Sequence, residues 1–282
     1  MVITINRSDL INVNESDLVF VDQENRSYFE VQDHEKVETH YLNAQRVFWS
    51  ERRGNAETEK MIIDQQEPDY LYGTKSTLSD FLQAAVKQAR KTDPAEISIL
   101  ELGCANAPTL RHLNKVAPKL NVDFTGLELT ECLVEDANTR YPHARISVGG
   151  AEEMIEMSEN ELGRTKFDMF LAAGVLCQMP PNVVRDVLKY VNKYCDTILV
   201  WDYLYNLDGE LSKNNPVIFK HYEAANHILF VNPYRDLLHD AGFEIDDVKH
   251  FYGDGVVARS FDEEDEPKAR KGTGAFRAIR KQ

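Results

Sequence analysis

ILELGCANAPTLRHL, residues 99–113, is the stretch whose reading decides the fold. Extended two residues upstream, it begins as ISILEL (97–102), a near-continuous apolar run of the kind a parallel strand buried on both faces needs. Gly103 and the small residues through Ala107 then form a tight turn. Pro108 suits a first helical turn, because its φ is preset and its missing N–H is not needed there. Strand, turn and helix in that order let a ligand approach bare backbone at the carboxyl end of the strand, which is where doubly wound sheets bind their ligands.

Downstream the text keeps alternating. VDFTGLEL (122–129), ARISVGG (144–150), FDMFLAAG (167–174) and TILVWDY (197–203) read as further strands. PNVVRDVLKYVNKY (181–194) lays Val183, Val184, Val187, Leu188 and Val191 on one helical face. Strands alternating with such helices imply right-handed crossovers and a mostly parallel sheet. The pattern changes near the end. Asn232-Pro233 is expected to cap and start a helix through YRDLLHDA, with Gly242 as its left-handed exit. FEIDDVKHF (243–251) and GAFRAIRK (274–281) then follow without a helix between them, so they pair antiparallel. The expected architecture is α/β: a doubly wound, mostly parallel seven-stranded sheet ending in an antiparallel hairpin.

Upstream, STLSDFLQAAVKQARK (76–91) has apolar residues at helical spacing, and Asp93-Pro94 ends it. Residues 1–75 carry strand-like alternation (VITINR, DLVFVDQ), then polar text with Tyr41, Phe48, Trp49, Tyr70 and Tyr72. The expected division is an N-terminal α/β or helical extension over 1–94 and a Rossmann-like domain over 95–282, with an insertion at about 203–232.

Hydrophobic residues at 43% and charged residues at 28% suit a globular protein with a sizeable core. No apolar run is long enough to span a membrane, and the N-terminus lacks the apolar core of a signal peptide, so the expected location is cytoplasmic. A net charge of −15, from 47 acids against 32 bases, repels a polyphosphate backbone and argues against a nucleic-acid partner. The densest basic text, PKARKGTGAFRAIRKQ, follows the acidic run Asp262–Glu266 and reads as a sheet-edge strand with solvated flanks. Cys104, Cys132, Cys177 and Cys195 are widely spaced, so neither a disulfide framework nor a metal site is expected. Composition leaves the oligomeric state open.

Glu128 ends the second strand, 25 residues beyond Gly103, where a carboxylate can accept hydrogen bonds from both hydroxyls of an adenosine ribose. That alone would fit a dinucleotide enzyme. The pyrophosphate fingerprint is absent, however: Ala105, Ala107 and Pro108 follow Gly103, whereas pyrophosphate needs bare backbone and an open helix N-terminus. A sulfonium cofactor carries no phosphate and tolerates more side chain at the turn.

Here a resemblance becomes specific. ELGCANAPTLRHL is similar to the first motif of class I (Rossmann-like) S-adenosylmethionine-dependent methyltransferases, LELTE to their second acidic motif, SVGGAEEM to the segment after the third strand, and FDMFLAAGVLCQMP to the fourth-strand motif. The likeness covers about residues 95–282. It implies S-adenosyl-L-methionine as cofactor, with Glu101, Gly103 and Ala105 bordering its methionine end and Glu128 on the ribose. Leu129 would pack on the adenine, Ala151 and Glu152 would lie at the adenine edge, and Ala173 and Gly174 would line the floor near the reacting methyl. The sequence departs from the family's pattern in three ways. Alanine replaces glycine at 105 and 107, and because a left-handed alanine costs roughly 1–2 kcal/mol both backbones are expected to avoid positive φ. Gly150 stands where an acid is usual, and Cys177 or Gln178 where a histidine is common.

Methyl transfer needs acceptor and methyl held in attack geometry in a dry pocket, and an oxygen or nitrogen acceptor can also need a base. Asp202, His221 and Tyr222 are the candidate catalytic residues, with Tyr203 and His227 beside them. Phe48, Trp49, Arg52 and Arg53 form a second candidate acceptor site, although core packing explains them more simply. The expected acceptor is a small molecule, such as a sugar or natural-product intermediate, covered by a lid built from the N-terminal segment and residues 203–232. An NAD-type dehydrogenase and a catalytically inactive member of the fold are the alternatives.

Overall fold

The computed structural model describes residues 11, 13–22, 25–50, 60, 77–89, 95–220, 228–250 and 273–281. The expected strand-like text at 1–6, Tyr70, Tyr72, Arg52, Arg53, Asp93-Pro94 and the acidic run from Asp262 lie outside the described residues, as do His221, Tyr222 and His227.

Two short strands, β1 (Leu18–Val21) and β2 (Ser27–Glu30), precede α1 (His34–His40), which passes through a π-helical turn (Tyr41–Gln45) into α2 (Arg46–Ser50). After α3 (Thr77–Ala89) the alternation begins: β3 (Glu96–Leu102), α4 (Pro108–Val116), β4 (Asn121–Glu128), α5 (Glu131–Arg140), β5 (Arg145–Val148), α6 (Ala151–Glu156), α7 (Glu159–Leu162), β6 (Phe167–Ala173), α8 (Pro181–Tyr194) and β7 (Cys195–Tyr203). The chain closes with β8 (Val217–Lys220), β9 (Ile228–Phe230), α9 (Tyr234–Asp240), β10 (Phe243–His250) and β11 (Thr273–Arg280).

Seven strands form one sheet in the order β10-β11-β7-β6-β3-β4-β5. Strands β3 to β7 pair in parallel, and β11 runs antiparallel to both its neighbours. The expected α/β class and doubly wound sheet with its closing hairpin are therefore observed. Period-two alternation explains the near-continuous apolar text. Ile97, Ile99, Met169 and Leu171 pack on one face with Phe81, Leu82 and Leu110 of α3 and α4. Leu100, Leu102, Phe170 and Ile198 pack on the other with Val187, Leu188, Tyr234 and Phe276. Each such side chain contributes on the order of 1.5–3 kcal/mol by leaving water.

Three expectations are corrected. The basic C-terminal strand is not an edge: β11 is hydrogen-bonded on both sides, between β10 and β7. Arg277 on it is 5% exposed and is held by Asp246 through Nε–Oδ1 (2.9 Å) and a second nitrogen on Oδ2 (2.8 Å). Asn232 does not cap the helix after it. Pro233 is the N-cap, and Asn232 Nδ2 donates to the carbonyls of Leu176 (3.0 Å) and Met179 (3.3 Å), two bonds that fix the amide with its Oδ1 on no helix N–H. Finally, Ala105 (φ 46°) and Ala107 (φ 60°) both adopt the left-handed region. The turn after β3 is short and tied down, with Gly103 N and Cys104 N donating to Leu127 O at 2.8 and 3.0 Å and Ala107 N to Cys104 O at 2.8 Å. Those bonds outweigh the local strain.

A second, four-stranded antiparallel sheet has the order β1-β2-β8-β9. Its first two strands come from the N-terminal segment and its last two from the stretch between β7 and α9, and β2 pairs with β8. Two stretches far apart in the chain thus make one layer.

Two predictions test this local physics. In Ala107→Gly the strain disappears while the unfolded chain gains freedom, so unfolding free energy rises by roughly 0.5–1 kcal/mol in a urea titration. The second concerns Glu101, which sits near the end of β3 at 2% exposure with Oε1 accepting the Thr109 hydroxyl at 2.9 Å. Burial, aided by the nearby negative Glu128, pushes its carboxyl up from 4.5 to about 8. The folded state therefore keeps a proton that the unfolded chain has lost between pH 4.5 and 8, and native stability falls as pH climbs through that window. Relative to the parent, Glu101→Gln should gain on the order of 3 kcal/mol of unfolding free energy between about pH 5 and 8.

Candidate functional site

A cavity of about 380 Å³ opens at the carboxyl ends of the parallel strands. Gly103 and Ala105 of the first turn, Glu128 to Thr130 after β4, and Gly149 and Gly150 after β5 line one end. Ala173 to Val175 and Cys177 to Met179 after β6, Trp201 and Tyr203 of β7, and Leu229 of β9 line the other. Tyr41, Gln45, Arg46 and Trp49 complete the wall from the N-terminal helices.

The first turn depends on a residue without a side chain. Gly103 has φ +68°, and a Cβ there would stand 2.2 Å from Val175 Cγ2. Glu128 is 8% exposed, and each of its oxygens takes one backbone donor: Oε2 from Ala105 N at 3.0 Å and Oε1 from Thr130 N at 2.8 Å. The carboxylate thereby fixes the turns after β3 and β4 to each other while still facing the cavity. At the next strand end, a Cβ on Gly150 would lie 3.1 Å from Leu129 Cδ2, so the bare backbone there lets Leu129 pack close against it.

The roof comes from the π turn. A π turn widens the helix by one residue, and such insertions recur at functional sites. Here it brings Tyr41, Gln45, Arg46 and Trp49 onto the cavity side. Arg46 pairs with Glu152 (Nε–Oε2 3.5 Å) and Glu153 of α6, while the hydroxyl of Thr130 donates to Trp49 O at 2.9 Å. At the opposite end, Gln45 Nε2 and Trp49 Nε1 each donate to Gln178 Oε1 at 3.3 Å, and Gln45 Nε2 also donates to Ile228 O. Burial, reinforced by Glu152, pushes the Tyr41 phenol well up, so it stays neutral at physiological pH.

The candidate residues therefore divide. Gly103, Ala105, Glu128, Leu129, Ala173 and Gly174 come together in the cavity lining. Glu101 lies beneath the turn, bonded to Thr109. Ala151 and Glu152 open α6 behind Gly150, with Ala151 buried and Glu152 turned to Arg46. Asp202 is 1% exposed and stands behind the wall, accepting from Cys177 N (2.7 Å), Tyr203 N (2.7 Å) and the Tyr234 hydroxyl. Burial pushes its carboxyl up to about 6. With three donors on it, Asp202 holds Cys177 and Tyr203, two residues of the cavity wall. Trp49 was legible as a candidate, whereas Tyr41, Gln45, Arg46 and Trp201 were not singled out for the site. Trp201 had a signal, since it sits two residues before the end of a strand whose neighbour supplies the floor.

No protein-family model matches the chain, and no curated protein matches it. Solved structures do. A S-adenosylmethionine-dependent methyltransferase from Clostridium acetobutylicum superposes over 76% of this chain and 96% of its own, at 11% identity and a TM-score of 0.50. Streptomyces venezuelae DesVI covers 81% and 99% at 16% identity, and a Pyrococcus horikoshii protein covers 81% and 100% at 12% identity, each with a TM-score of 0.50. At such identities the likeness establishes the fold. The chain has the class I methyltransferase fold.

Proposed function

We propose that this chain is an S-adenosylmethionine-dependent methyltransferase of a small-molecule oxygen or nitrogen acceptor, working in the cytoplasm without a nucleic-acid partner. The observation that carries the reading is the state of the turn that lines the cavity at Gly103 and of the helix start that follows it. A pyrophosphate needs free amides at an open helix N-terminus. Here Ala105 N is given to Glu128, Ala107 N to Cys104 O, and Pro108 at the first helical position is buried and has no N–H.

The same end of the cavity fits S-adenosylmethionine. Glu128 lines the cavity, and a carboxylate, with about four acceptor sites, can take ribose hydroxyls alongside the Ala105 and Thr130 amides. Leu129, Gly149 and Gly150 line a strip of the cavity that suits a flat adenine, with Ala151 and Glu152 behind it, and Gly103 and Ala105 border the methionine end. Glu101 would support that end from below. Ala173 and Gly174 present no bulk toward the reacting centre. When bound, the sulfonium supplies an electrophilic methyl group and most of the driving force. The chain's own part is to exclude water and hold the acceptor in line: Tyr41, Gln45 and Trp49 close the cavity above, and Asp202 fixes the wall at Cys177 and Tyr203.

Calorimetry checks the assignment. S-adenosylhomocysteine should bind with micromolar or better affinity and NAD should give no measurable heat; NAD binding as tightly would overturn the reading. Glu128→Ala leaves ligand hydroxyls without their charged acceptor and should weaken S-adenosylhomocysteine by on the order of 2–4 kcal/mol, with Glu128→Gln losing less.

A further inference from the structure

Glu101 and Glu128 stand on one face of the sheet. Glu101 pairs with Gly126 across β3 and β4, and Glu128 is two residues beyond Gly126, where side chains return to the same face. The first turn lies over them: Ala105 N donates to Glu128, and a Cβ on Gly126 would stand 2.5 Å from Cys104 Sγ. Leu102, Gly103 and Ala105, which follow Glu101 in the chain, line the cavity. β3 also lies between β4 and β6, so Glu101 is at the strand end where the order of the sheet reverses and where such folds hold their ligands.

The two acids are solvated differently. Glu128 accepts two backbone amides, which favour its charged form. Glu101 has one donor, the Thr109 hydroxyl at 2.9 Å, while its Oε2 is buried and takes no hydrogen bond among the described residues. The titratable groups facing it are Glu128 of β4 and the Cys104 thiol of the turn, which burial keeps neutral. α4 presents Thr109 to it, and β6 has the apolar Leu171 opposite it. A carboxylate so placed is costly, and a like charge beside it adds to the cost, so Glu101 is held as the neutral acid in the empty site. A positive charge brought into the cavity reverses that balance, because it stabilises the carboxylate and leaves the acid unaffected.

Resting on the methyltransferase reading, we propose that Glu101 is a specificity-determining residue: it stays a neutral acid beside S-adenosylhomocysteine, and it gives its proton to solvent when the sulfonium cofactor arrives, becoming the counter-charge. The O–H bond of the acid breaks, its electron pair stays on the carboxylate, and the proton passes to buffer. Cofactor and product differ by the transferred methyl and by the positive charge on sulfur, so shape alone separates them poorly. A field separates them well. Glu101 has no need to touch the ligand, because its oxygens remain beneath the turn and a charge in a poorly polarisable interior acts across several bonds' distance. After transfer the S–C bond is broken and its electron pair remains on sulfur. The Glu101 carboxylate has then lost its counter-charge and takes a proton back from solvent, which weakens the hold on product relative to cofactor.

The test is calorimetry on the full chain at about pH 7 in buffers of different ionisation enthalpy, which counts protons released on binding. With S-adenosylmethionine the parent should release at least about half a proton more than Glu101→Gln, and with S-adenosylhomocysteine the two proteins should differ by less than about 0.2 proton. Comparing parent with variant cancels any titration of the ligand's own amine. An infrared difference spectrum of the parent needs no variant: the carbonyl band of a protonated carboxyl should disappear when S-adenosylmethionine binds and persist when S-adenosylhomocysteine binds. Proton release in Glu101→Gln equal to the parent's, or a carboxyl band that both ligands remove or neither removes, overturns the proposal. Binding is read before proton counts. No heat with either ligand overturns the methyltransferase reading, whereas binding of both with equal proton release overturns this proposal alone.

Discussion

Glu128 ties the turn after β3 to the turn after β4 through one backbone donor on each carboxylate oxygen, at 3.0 and 2.8 Å. A charged acceptor with two amide donors in a buried setting is among the stronger bonds a protein can form. It does its work beside Gly103 N and Cys104 N, which both donate to Leu127 O. Together these bonds set the height of the first turn over the sheet. Two alanines are held in left-handed backbone as a consequence, at a local cost of roughly 1–2 kcal/mol each. Strain of this kind persists where the surroundings over-determine the backbone, and such places cluster at functional sites. The floor and one end of the cavity follow from that arrangement.

The other end depends on cooperation between remote stretches of chain. Pairing of β2 with β8 joins the N-terminal segment to the stretch after β7, and it brings Tyr28 and Phe219 into contact. Arg26 is central to the join. It bonds Asp22 at 2.6 Å and the hydroxyl of Tyr205 at 3.0 Å, and its guanidinium lies 5.6–5.7 Å from the ring centroids of Tyr203, Tyr205 and Phe219. Tyr28 packs against Tyr205 and Phe219 in the same cluster. Tyr203 lines the cavity, so the small sheet and the site share a wall. Asp202 reaches the same wall from below through Cys177 N and Tyr203 N. This end of the cavity is thus held from two sides by buried charge, while among the described residues its lining is mostly apolar. That separation suits a site that must be rigid and dry at once.

What the sequence determined by itself was whatever depends on short-range periodicity. Alternation of apolar text with helical faces from Ile97 to Tyr203 was enough for the doubly wound sheet, because each strand is buried on both faces and each helix on one. Glu128 was legible for the same reason, being an acid at a strand end in a fixed place after the first turn. The tertiary structure decided what depends on partners far away in the chain. Lys- and Arg-rich text around β11 looks like an edge strand in isolation, yet pairing with β7 and β10 puts it inside the sheet, where Asp246 neutralises Arg277. Asn232 carries a good cap signature, but Nδ2 bonds to two buried carbonyls more than fifty residues earlier fix its amide, and its Oδ1 takes no helix N–H. Ala105 and Ala107 were expected to refuse positive φ, since propensity counts only the local cost and not the bonds that the turn makes to β4 and Glu128. Gln45 could not be singled out, because a glutamine in polar helical text acquires its meaning only when a π turn, Gln178 and Ile228 surround it.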